Sequence, residues 1–145
     1  MNGAIYIDSS SVLKMLWNEP ESRDVREAVA REHAVVVAPL TELEVSVQLR
    51  AKRFAGALTK RRYDGYAAQL QSFKSLAPFE FLDLPGTVFR MAVEQHLAAA
   101  VHCRSVDRLH LACMSELGLR RLMTNDAKQA AAARAMKLQV VSPGA

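Results

Sequence analysis

The chain has only two cysteines, Cys103 and Cys113, and two thiols without a spacing pattern make neither a disulfide framework nor a zinc site. They read as reduced thiols in or near a core. Aromatic side chains are also few, at 6% of 145 residues, and too scattered to form a platform on which nucleic-acid bases stack. No uninterrupted apolar run approaches the roughly 20 residues a membrane helix needs. The N-terminus lacks the basic start, long apolar run and small-residue cleavage pattern of a signal peptide. A cytoplasmic protein with no membrane partner is expected. No repeat or linker breaks the chain, whose length suits one domain over 1–145.

What is present is positive charge. The net charge of +4 and pI of about 9.3 are compatible with a polyanionic partner, yet many proteins that never meet nucleic acid are as basic. Arg50, Lys52, Arg53, Lys60, Arg61 and Arg62 crowd one stretch. That stretch suits phosphate binding, and a solvated helix hairpin explains it equally well.

Strands alternate with helices along the whole chain. Residues 4–8 and the β-branched run 34–39 read as buried strands, with helical spacing over 9–17 and 21–33. Pro39 suits the first turn of a helix over 40–53, and a second long helix over 58–75 carries Gly65 as a weak point. Strands follow at 79–84, 121–126 and 138–142, with helices over 88–101, 105–117 and 127–136. Pro85-Gly86 marks a turn and Gly118 a helix stop. This pattern predicts an α/β fold with a mainly parallel sheet covered by helices on both faces.

In such sheets ligands sit beyond the carboxyl ends of the strands, where the winding reverses. Asp8 and Asp126 both follow strands directly and lead into helices. Asp126 and Gln129 have the spacing of a capping box, so capping competes with metal binding there. Ser9, Ser10 and Ser11 offer alternative caps beside Asp8, which leaves its carboxylate free for another role.

On a wheel of about 100° per residue, Leu40, Leu43, Val47 and Ala51 share one stripe with Glu44, and Glu42 points the other way. A charge on a buried stripe costs free energy unless compensated, so Glu44 is the better candidate for a site residue. Ser105 is a good N-cap that puts Asp107 in the first turn, where the helix dipole favours an acid whether or not it has a further function. His110 falls with Val106, Cys113, Met114 and Leu117 and reads as a packed, hydrogen-bonded core histidine. His33, His96 and His102 have no partner at metal-ligand spacing.

The segments IYIDSS, APLTELEVSVQLR, SVDRLHLA and RLMTND, in that order and spacing, resemble the signature segments of the PIN-domain family, most closely its VapC-like toxins. The resemblance covers nearly the whole chain. It places the family's metal-binding acids on Asp8, Glu44, Asp107 and Asp126, and its small hydroxyl residues on Ser9 and Thr124. One departure stands beside the third acid, where members often have a small residue and this chain has Arg108.

The resemblance implies a three-layer α/β/α sandwich with strand order 3-2-1-4-5, which sets Asp8 against Asp126. It implies an endoribonuclease dependent on Mg²⁺ or Mn²⁺, with one ion or two held by hard oxygen ligands. It also implies a cognate antitoxin, a homodimer, and Arg50, Lys52 and Arg53 as contacts to RNA or antitoxin; Arg108, outside the family pattern, either projects into solvent or approaches a phosphate or the antitoxin, and its role stays open. A housekeeping RNA-processing nuclease and a non-catalytic RNA- or protein-binding module are the alternatives on the same scaffold. A response-regulator receiver shares the alternating pattern, but it needs an acidic pair after strand one and a lysine after strand five, where this chain has one Asp8 and Ser142-Pro143.

Overall fold

The apolar strand segments IYI and VVV are buried along their whole length, which is the signature of parallel strands covered on both faces. A computed structural model describes residues 3–145. Among them the chain runs β1 (Ile5–Ile7), α1 (Ser9–Leu16), α2 (Ser22–Ala30), β2 (Val35–Val37), α3 (Pro39–Phe54) and α4 (Lys60–Ser72). A short 3₁₀ turn at Phe73–Ser75 leads into β3 (Phe79–Phe81), α5 (Val88–Ala98), α6 (Ser105–Glu116), β4 (Arg121–Met123), α7 (Ala127–Ala135) and β5 (Gln139–Val141). All strand pairs are parallel, in the order β3-β2-β1-β4-β5.

Side chains alternate across the sheet and split the core in two. Ile5, Ile7, Val35, Val37 and Met123 face one layer, where Val12 and Met15 of α1, Val25 and Val29 of α2, Val45 and Leu49 of α3 and Leu70 of α4 meet them. Tyr6, Val36 and Leu122 face the other, against Val88 of α5, Leu111 and Met114 of α6 and Ala132 and Ala133 of α7. The result is the three-layer α/β/α sandwich expected from the pattern. Pro39 stands at the start of α3, and Gly118, with φ of 69°, closes α6 through a bond from Leu119 N to the Met114 carbonyl at 2.8 Å.

The rotation of α3 differs from the wheel. Thr41, Val45 and Leu49 are its buried residues, whereas Leu43 is 61% and Val47 54% exposed. Apolar residues lie around most of this helix, so periodicity alone does not choose the inward face. The Thr41 hydroxyl decides it by donating to the Ile7 carbonyl at 3.1 Å, which fixes α3 against β1.

Candidate active site

The strand order puts β1 beside β4, with Ile7 opposite Met123. Asp8 follows β1 directly, whereas β4 ends at Met123, three residues before Asp126, which shortens the strand expected over 121–126. The Asp8 amide donates to the Met123 carbonyl at 3.2 Å. The chain winds from β1 through β2 to β3 on one side and then crosses to β4 on the other side of β1, so the sheet reverses between β1 and β4.

Asp8 is 4% exposed. It is itself the N-cap of α1, accepting from Ser11 N at 3.3 Å, which corrects the expectation that a neighbouring serine takes that task. The serines are used otherwise. Ser10 Oγ donates to Asp8 Oδ1 at 2.6 Å and accepts from Asn125 N at 2.9 Å, while Ser11 Oγ donates to Asn125 Oδ1 at 2.7 Å. Thr124 Oγ1 donates to Asp8 Oδ2. Burial raises the Asp8 pKa above the ordinary carboxylate value, against the opposing pull of the Ser10 and Thr124 hydrogen bonds. Among the described residues no cationic side chain forms an ion pair with it.

Asp126 caps α7 and faces the site at once. Its Oδ1 accepts from Lys128 N at 2.8 Å and Gln129 N at 3.3 Å, and its Oδ2 lies 3.7 Å from Arg104 Nη2. Only half of the capping box is present, because the Gln129 amide turns away and donates to the Asp107 carbonyl at 3.0 Å, tying α7 to α6. The N-cap of α6 is Arg104, and Ser105 is already helical, so the expected Ser105 cap is corrected by one residue. Asp107 remains in the first turn and is 7% exposed. Arg104 Nε meets Asp107 Oδ2 at 3.1 Å, so this one guanidinium bridges Asp107 and Asp126.

Glu44 arrives from the other helical layer. Ser9 Oγ donates to Glu44 Oε1 at 3.2 Å, and His110 Nε2 contacts the same oxygen. The other ring nitrogen, Nδ1, lies 2.6 Å from the Tyr6 hydroxyl. A carboxylate only accepts, so Nε2 carries the hydrogen toward Glu44, and in a neutral ring Nδ1 accepts from Tyr6. Burial raises the Tyr6 pKa well above its ordinary value and keeps that hydroxyl protonated. His110 is packed and hydrogen-bonded, at 2% exposure, as its place on the apolar stripe implies. The hydrogen-bond partner of its Nε2 is the candidate acid Glu44 itself. Exposure does not distinguish Glu42 from Glu44, at 27% and 29% of the side chain, but partners do: Glu42 pairs with Lys74 at 2.8 Å.

The basic residues of the α3–α4 hairpin are not gathered at the acids. Arg50 stacks over Phe54 and Tyr63, and Arg53 donates to the Leu58 carbonyl at 3.0 Å. Lys52 lies over Trp17, which closes the end of α1 away from Asp8. Arg108 projects neither into solvent nor toward the acids and is 6% exposed. The contact of Arg104 with two of the candidate acids is not legible in the sequence, because an exposed arginine before a helix looks like any solvated charge.

Acids at the N-caps of α1 and α7 and on α3 and α6 thus lie around one edge of an α/β/α sandwich, the architecture of a PIN-type domain, and among the described residues no three of them close into a metal-holding group. A model of the PIN domain matches residues 5–141, and the chain belongs to that family. It is similar to ribonuclease VapC46 of Mycobacterium tuberculosis, with 30% identity over 142 residues, 97% of this chain and 98% of the relative. Among solved structures it is similar in fold to M. tuberculosis VapC20, a sarcin-ricin loop cleaving toxin. That match has a TM-score of 0.67 and 17% identity over 88% of this chain and 94% of that one. A toxin-antitoxin complex from Klebsiella pneumoniae contains a similar chain, with TM-score 0.64 and 17% identity over 96% of this chain and 97% of that one.

Proposed function

We propose that the protein is a divalent-metal-dependent endoribonuclease that hydrolyses RNA phosphodiester bonds and acts as the toxin of a toxin–antitoxin pair. The observation that carries this reading is the juxtaposition of Asp8 and Asp126 at the reversal point of the sheet, with Asp107 and Glu44 brought to the same edge from opposite helical layers. The VapC46 and VapC20 likenesses favour the toxin over a housekeeping nuclease.

The donor set suits Mg²⁺ or Mn²⁺, one ion or two. All four acids offer hard oxygens, and the fold keeps the Asp8 carboxylate buried without a cation partner. Among the described residues no three acids, histidines or cysteines already cage an ion, and Arg104 spans Asp107 and Asp126 instead. Asp8, Asp107 and Asp126 would hold the metal, and Glu44 would hold metal or a water. A bound ion lowers the pKa of a water and stabilises charge on the transferred phosphoryl group.

The remaining work falls to side chains already in place. Thr124 and Ser10 orient Asp8, Ser9 and His110 orient Glu44, and Gln129 fixes the backbone of Asp107. Arg104 offsets the repulsion between Asp107 and Asp126 and is exposed enough to meet a phosphate of the RNA.

Two apolar stripes suit protein partners. Leu43, Val47 and Phe54 of α3 are exposed on the helix that carries Glu44, which suits an antitoxin segment lying beside the acids. Phe89, Val93 and Leu97 of α5 are exposed on the other layer and suit a second copy in a homodimer.

Replacing Asp8 by Asn should reduce Mg²⁺-dependent RNA cleavage by about a hundredfold or more and abolish growth arrest on induction. Cleavage at the original rate by D8N, with the same metal dependence, would refute the assignment.

A further inference from the structure

Arg108 takes no part in the acid cluster, and its surroundings do not explain its charge. The side chain is 6% exposed, and its Nε has no hydrogen-bond partner. Its Nη1 approaches Gln95 Oε1 at 3.5 Å and Met136 Sδ at 3.3 Å, and its Nη2 approaches the Val101 carbonyl at 3.4 Å. These are neutral acceptors at long range. Among the described residues no carboxylate pairs with Arg108, because its neighbour Asp107 is already bound to Arg104. The nearby Cys103 thiol stays protonated, its pKa raised by burial. A guanidinium is charged at every working pH and presents five donors. Burying one without an anion is unfavourable unless an anion arrives.

Space for that anion lies beside it. A cavity of about 250 Å³ opens between α5, α6 and α7, lined by Gln95, Ala98, Val101, Ala132, Met136 and Arg108. Its walls are small and apolar, and Arg108 is the one charged residue among the described lining. This combination suits a carboxylate on a short aliphatic stem, whose two oxygens match the guanidinium fork. A phosphate dianion fits less well, since no second cation reaches the cavity.

We propose that this cavity is a carboxylate-binding site, in which Arg108 receives the anionic head and the alanine walls of α5 and α7 enclose its stem. The carboxylate comes from a free short-chain acid or from a glutamate side chain of a protein, and the chemistry of capture is the same. Arg108 follows Asp107 in α6, and Val101 lies on the segment that leads to Arg104, so occupancy is positioned to influence the acids. The binding site itself does not depend on the nuclease reading.

Thermal melts and calorimetric titrations of the full chain test this, using butyrate, glutamate with both ends blocked, phosphate and chloride at matched ionic strength. A saturable rise in Tm is expected with at least one carboxylate and with neither phosphate nor chloride. Butyrate alone identifies a free acid as the source, and blocked glutamate alone a protein side chain. Arg108→Met should weaken binding about tenfold or more. Ala135 of α7 also lines the cavity, so Ala135→Leu should do the same by filling it while Arg108 stays, and it keeps the test decisive if R108M folds poorly. Absence of saturable binding by either carboxylate, equal binding of phosphate, or undiminished binding in A135L would overturn the proposal.

Discussion

A single aspartate at the end of β1 performs two tasks that conflict. Asp8 caps α1 through Ser11 N, yet the same burial that makes the cap firm raises its pKa. A carboxyl group whose folded pKa exceeds its unfolded value stabilises the fold below the unfolded pKa, and that contribution is lost as pH rises through the folded pKa. At neutral pH without metal, the charge on Asp8 therefore weakens the fold. Asp8→Asn should raise Tm at pH 7, with the gain fading as pH falls toward the carboxylate range; melts across pH would show it. A variant less stable at pH 7 would mean that the hydrogen bonds from Ser10 and Thr124 outweigh desolvation. Tyr6 gives a second case. Tyr6→Phe leaves His110 Nδ1 buried without its 2.6 Å partner, which should cost about 1–3 kcal/mol in urea unfolding and loosen the hold of His110 on Glu44. No loss of stability would remove Tyr6 from that chain of contacts.

At the scale of elements, the strands were legible because apolar β-branched runs such as VVV have few other uses, and Pro39 and Gly118 marked helix ends with a mechanism. The acids at strand ends were legible for the same reason, since placement follows from the alternating pattern. The rotation of α3 was not, because it depends on the Thr41 hydroxyl reaching a strand carbonyl, a contact invisible to periodicity. The alliance of His110 with Glu44 was hidden too: an apolar stripe shows that a histidine is buried and says nothing of its partner across the sheet. Element ends also carry a measurable strain. α7 closes with Lys137 at φ of 60°, in a turn where Leu138 N reaches the Ala133 carbonyl at 3.1 Å. This left-handed position usually belongs to glycine. Lys137→Gly should stabilise the protein by about 1 kcal/mol, the scale of the left-handed penalty, read as a higher midpoint in urea with an unchanged slope. A lower midpoint would show that the lysine side chain contributes more than the backbone loses.

The whole molecule is organised by its sheet, whose two faces bury separate cores and leave one apolar stripe outside each helical layer. The α5 stripe is the more open, with Phe89 at 65%, Val93 at 58% and Leu97 at 79% exposure. A stable interface needs about 800 Å² from each partner, more than three side chains supply. The stripe continues into the groove between α5 and α6, where Ala92, Val106 and Leu109 extend the apolar surface. That continuity makes a two-fold contact between copies the economical way to cover it. If so, glutamate at Val93 and Leu97 would place four like charges in the interface of a dimer and disturb nothing in the monomer core, since both residues are exposed. The unaltered protein is expected to elute as a dimer in size exclusion with light scattering, and the V93E/L97E protein should elute at the monomer mass and melt cooperatively. An unaltered protein that is already monomeric at tens of micromolar would show that the α5 face serves another partner.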